Sequence, residues 1–71
     1  LPKTNKLVIH PNPSKSGIFK LNDYRYVSVY DIMGREVKTY INTNEIDIHN
    51  YPKGVYFIET SLKETQKLIK N

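Results

Sequence analysis

The chain has 71 residues and no cysteine, and its 11 Lys and Arg against 7 Asp and Glu give a net charge of +4. A chain this short makes one domain that hides only about 60% of its extended surface, so its apolar residues are committed to a thin core with little room for a large substrate cavity. Disulfide staples and thiolate metal sites are excluded, no dense basic block marks a nucleic-acid groove, and no apolar run approaches the ~20 residues of a membrane-spanning helix.

Residues 1–6 carry neither a basic leader nor a secretory apolar core, and the expectation is that they are a linker remnant from an upstream domain. The folded unit is expected over 7–71. It begins with Leu7-Val8-Ile9, a short apolar strand ended by His10 and by Pro11, which has no amide hydrogen to give a sheet. Pro13 pushes Asn12 toward extended geometry. Ser14-Lys15-Ser16-Gly17 supplies a turn, and Ile18 to Leu21 form the next strand, closed by Asn22-Asp23.

Tyr26-Val27-Ser28-Val29-Tyr30 alternates with a period of two, which rejects a helix. Asp31-Ile32-Met33-Gly34-Arg35 reads as a hairpin loop: the Asp31 carboxylate is placed to accept the amides of Met33 or Gly34, and Gly34 to take a positive φ. Val37, Thr39 and Ile41 share one face of the return strand. Beyond the polar connection Asn42-Thr43-Asn44, Ile46 and Ile48 are again two apart. Asn50-Tyr51-Pro52-Lys53-Gly54 turns the chain into a long strand, Val55 to Ser61, and Glu64 to Lys70 returns as its antiparallel mate.

The sum is seven short strands and an all-β fold, read as a small antiparallel β-sandwich of immunoglobulin-like type. The expected core is Val8, Phe19, Leu21, Val27, Val29, Val37, Ile41, Ile46, Ile48, Tyr56, Ile58 and Ile69.

Chemistry is weakly signalled. His10 and His49 lie in no metal-ligand pattern, and the acids Asp31, Glu36, Glu45 and Asp47 do not form a calcium loop. None of Ser14, Ser16, Ser28 and Ser61 sits in a nucleophile elbow. Asp47 and Glu59 are a formal acid pair without a cleft to work in, and Asp31, Gly34 and Arg35 lack the glycine-rich loop and following helix of a phosphate site. No enzyme activity and no cofactor are expected.

Taken in order, His10-Pro11-Asn12-Pro13, Gly17 with Phe19, Val27 through Glu36, Ile46 through Ile48, and Gly54-Val55-Tyr56-Phe57-Ile58 resemble the type A C-terminal sorting domain of proteins exported by the type IX secretion system of Bacteroidetes. Lys67-Leu68-Ile69-Lys70 ends the chain much as such domains end. His10 stands where an aromatic such as tyrosine is common, and Tyr51 where an aliphatic is common. Pro11, Asn12, Pro13, Gly17, Asp31, Gly34, Gly54 and Tyr56 fall on the structural motif.

The resemblance implies a noncatalytic signal, carried through the periplasm and recognised by the outer-membrane type IX translocon. It delivers an upstream cargo to the cell surface or the medium. A sortase-like signal peptidase then removes it and joins many cargos to anionic lipopolysaccharide. Lys67, Leu68, Ile69 and Lys70 become candidates for translocon recognition, through an exposed strand edge or a folded patch. A noncatalytic adhesion or carbohydrate-binding accessory domain, using Tyr24, Tyr26 or Tyr40, is the alternative.

Overall fold

The structure is a computed structural model and describes residues 6–71. Apart from Lys6, the expected linker lies outside the described residues; the Lys6 carbonyl accepts from Asn22 Nδ2 at 2.8 Å. Five strands follow: β1 (Ile9–His10), β2 (Ile18–Tyr30), β3 (Glu36–Asp47), β4 (Gly54–Thr60) and β5 (Thr65–Lys70). All named strand pairs are antiparallel, in one sheet. β3 runs along one edge of β2. The other edge of β2 takes β1 near its start and β4 near its end, and β5 pairs with β4.

Seven expected strands become five because two expected breaks are bends. Asn22 does not close its strand. Its amide donates to the Val8 carbonyl and its Oδ1 accepts from the Val8 amide, which stitches β2 to the chain before β1. Opposite it, Asn42-Thr43-Asn44 stays in β3, where Thr43 Oγ1 donates to the Glu45 carbonyl at 2.8 Å and accepts from the Glu45 amide. The β2–β3 register jumps in this region, between the pairs Lys20↔Glu45, Arg25↔Thr43 and Val27↔Tyr40. Extra residues in a ladder bend a strand without ending it.

The odd-numbered residues of β2 are buried except Asp23, which is half-exposed, and Phe19, Leu21, Val27 and Val29 are buried with Ile46, Ile48, Tyr56 and Ile58 as expected. Leu7, Ile9 and Leu68 complete the core. Burial of each such large side chain contributes roughly 1.5–3 kcal/mol.

Three core assignments are corrected, each a matter of parity. Val8 is half exposed while Leu7 and Ile9 are buried. Ile41 is 76% exposed, because a register shift between Val29↔Lys38 and Tyr30↔Glu36 turns Tyr40 toward the core and Ile41 away. Ile69 is only half-buried because Leu68 points in. Val37 is half-buried against the core.

Candidate functional site

Alternation puts Gln66, Leu68 and Lys70 of β5 inward, and Lys70 would be an unfavourable core residue without partners for its charge. The structure supplies them. Lys70 Nζ donates to the main-chain carbonyls of Ile48 (3.2 Å), His49 (2.7 Å) and Tyr51, which matches the three donors of an ammonium. Its stem passes beside Gly17, where an added Cβ would lie 3.0 Å from Lys70 Cε and 2.9 Å from His49 Cα. Gly17 therefore has no side chain because the loop before β4 and the last lysine both close on it. Its carbonyl accepts from the Ile48 amide at 2.8 Å.

The second edge of β5 is occupied by the proline segment. Asn12 Nδ2 donates to the Lys67 carbonyl at 2.7 Å, and Asn12 Oδ1 accepts from the Ile69 amide at 2.9 Å. Ser14 forms a parallel bridge to Lys70; its amide donates to the Ile69 carbonyl and its carbonyl accepts from the Asn71 amide. Ser14 is itself buried, its Oγ donating to the Ile18 carbonyl and accepting from the Gly17 amide. Gln66 Nε2 donates to the Leu7 carbonyl. The His10–Pro11 and Asn12–Pro13 peptide bonds are both cis.

Of the four candidate recognition residues, Leu68 and Lys70 are thus buried, Ile69 is half-buried and Lys67 is exposed.

The hairpin between β2 and β3 is built around Asp31. Its Oδ1 accepts from the Met33 amide at 2.9 Å, the first of the two expected partners, and also from the Arg35 amide at 3.0 Å; the Gly34 amide donates to the Asp31 carbonyl. Arg35 Nε also donates to Asp31 Oδ2. The Arg35 amide, followed by the Arg35 side chain and the Met33 amide, holds the Asp31 carboxyl below its usual range. Gly34 has φ 84°, a conformation that strains a side-chain-bearing residue.

Gly54, at φ 145°, opens β4, and buried Tyr56 donates its hydroxyl to the Pro52 carbonyl at 2.6 Å. The two turns flank an open hollow of about 470 Å³, lined in part by Asp31, Arg35, Glu36, Tyr51, Lys53 and Tyr56.

The sequence reading missed one polar cluster. Arg25 occupies an inward β2 position, continuing the series Phe19, Leu21, Val27 and Val29, with only 5% of its side chain exposed. Its Nε donates to Glu64 Oε1 at 2.8 Å, its Nη1 pairs with Asp23 at 3.0 Å, and buried Thr60 donates its hydroxyl to Glu64. The Arg25 hydrogen bond lowers the Glu64 pKa, and the same bond raises that of Arg25. The period of two, extended through Asn22-Asp23, is the signal that would have placed Arg25 inside.

The other chemical candidates are dispersed. His10 and His49 are exposed; His49 Nδ1 meets Asp47 Oδ1 at 2.5 Å. Asp47 pairs in register with Ile18, whereas Glu59 pairs with Ser28 and Thr65, so the two acids sit at different parts of β2. Among the described residues no group of three or more His, Cys, Asp and Glu is placed to hold a metal ion.

The chain is an all-β module whose last strand is held by β4 on one side and by Asn12 and Ser14 on the other. A family model described as the secretion system C-terminal sorting domain matches residues 8–71, and the chain belongs to that family, a C-terminal sorting signal of type IX secretion. No curated protein matches the chain.

Proposed function

We propose that this chain is a noncatalytic signal that directs an upstream cargo through the outer-membrane type IX translocon to the cell surface or the medium. The observation that carries the reading is the family match over residues 8–71, nearly the whole chain. The clamped C-terminal strand supports it, because a terminus packed into the fold reports that the domain has folded before recognition. In this reading Leu68 and Lys70 act by building that state, and Lys67 with Ile69 contribute the β5 surface.

A sortase-like signal peptidase then removes the domain, and the cargo is released or joined to the surface. In this single sheet β1 joins the first half of β2 and β4 the second, with inward residues of both halves in one core, which supports the reading as an immunoglobulin-like sandwich.

Carbohydrate or adhesive binding remains the second reading, favoured by the exposure of Tyr24 and Tyr26. Tyr40 does not add to it, since its half-buried hydroxyl is engaged with the main chain of Asp47. The discriminating experiment deletes Lys67 through Asn71 from a reporter fusion and titrates the intact chain with polysaccharides. Loss of export with no polysaccharide heat supports sorting; retained export, or binding that disappears on Tyr24→Ala or Tyr26→Ala, contradicts it.

A further inference from the structure

We infer that the secretion machinery engages this domain by adding a β-strand to the outer edge of β3, and not to β5. The inference rests on the sorting function proposed above. Strand addition requires main-chain groups with no partner in the free domain. On β5 one edge is taken by β4, and on the other Asn12 and Ser14 engage the Lys67 carbonyl and both main-chain groups of Ile69. Among the described strands, β1 and β3 each have β2 on one side only; β1 is two residues long, and β3, at twelve, is the one long enough to template an added strand.

The two ends of β3 are covered by side chains. Tyr51 donates its hydroxyl to the Val37 carbonyl, and Lys38 Nζ and the Tyr40 hydroxyl both donate to the Asp47 carbonyl. Between them lies Thr39-Tyr40-Ile41-Asn42-Thr43-Asn44, six residues without a charge, a proline or a glycine in a chain that is 25% charged. Edge strands are ordinarily protected from pairing by lysines, prolines or inward charges. This stretch has no lysine, proline or charge, carries one register shift between Thr43 and Tyr40, and holds three β-branched residues that favour pairing, Thr39, Ile41 and Thr43. Thr39, Ile41 and Asn42 are exposed. Ile41 (76% exposed), Tyr26 (43%) and Tyr24 (58%) give this end of the sheet an apolar surface. The occupant that fits is an extended, uncharged segment of an outer-membrane partner whose alternate side chains are apolar.

The test fuses the whole chain behind a periplasmic reporter in a type IX-competent host, with the photo-crosslinking residue p-benzoylphenylalanine at position 41 or at position 67. Periplasmic retention of the unsubstituted fusion would remove the sorting reading itself, and the inference with it. Given export, an adduct from position 41 to an outer-membrane protein, with none from position 67, is expected. The reverse pattern, or no adduct from position 41, overturns the inference, as does an adduct of twice the fusion's mass, which assigns the edge to a second copy. Thr39→Lys and Ile41→Lys supply an independent arm. Loss of export with an unchanged urea midpoint supports the edge, and full export contradicts it.

Discussion

The side-chain amide of Asn12 stands in for a strand on the outer edge of Ile69, accepting its amide at 2.9 Å while donating to the Lys67 carbonyl two residues earlier. One planar group thereby supplies the acceptor and the donor that a neighbouring peptide unit would supply. Asn12→Ala should lower stability by about 1 kcal/mol, a modest loss because water reaches the exposed groups it leaves. Chemical denaturation checks the size, and faster hydrogen exchange at the Ile69 amide checks the location.

The two lysines of the terminal strand should behave differently. Lys70→Met strips three buried or half-buried carbonyls of their donor and is expected to cost about 2–4 kcal/mol. Lys67→Met changes an exposed side chain and should stay within about 0.5 kcal/mol. Urea midpoints of the two variants decide the matter, and equal midpoints would contradict the inward role of Lys70.

Gly17→Ala should destabilise by about 1–3 kcal/mol. The residue has φ 82°, and the new methyl group would meet the main chain of His49 at 2.9 Å, which side-chain rotation cannot relieve. A thermal midpoint equal to that of the parent would contradict the close approach of the two segments.

Acid should weaken the domain through Glu64, Asp31 and Asp47, whose carboxyls are held below their ordinary range by Arg25, by the Arg35 amide and by the His49 amide respectively. A folded-state pKa that is depressed contributes stability above the unfolded value of about 4, and that contribution disappears as pH falls through the lower folded value. Urea midpoints are therefore expected to be flat above about pH 5 and to fall in stronger acid. Glu64→Gln should lower the neutral-pH stability by about 2 kcal/mol, as for a partly exposed partner of a buried guanidinium, and should flatten the acid decline of the urea midpoint. A decline unchanged by the substitution would contradict the assignment.

Turn chemistry and period-two patterning were legible wherever a strand has one apolar face, as in Tyr26 to Tyr30 and Ile46 with Ile48. They were misleading at Leu7-Val8-Ile9 and Leu68-Ile69, where adjacent apolar residues leave both parities open and long-range contacts choose. Asn22 and Asn42 to Asn44 carry loop composition, yet their polar groups bond across or along the sheet and turn expected breaks into bends. Lys70 and Arg25 lie on the inward face against composition. The loop carbonyls that hold Lys70 stand 19–22 residues away in sequence, and Glu64, one of the two acids that pair with Arg25, stands 39 away. The resemblance placed Asn12 and Gly17 on the structural motif and the last strand among the recognition residues as separate features, and the fold joins them through Asn12 hydrogen bonds and the close approach of Lys70 to Gly17.

The most direct test of the sorting function compares two otherwise identical hosts, one with and one without the type IX outer-membrane translocon, each making a periplasmic reporter fused to residues 1–71. Protease added to intact cells, together with assay of the medium, measures the reporter outside the outer membrane. Reporter outside the first host and enclosed in the second is the predicted result. Enclosure in both, with the fused domain folded, would contradict the account.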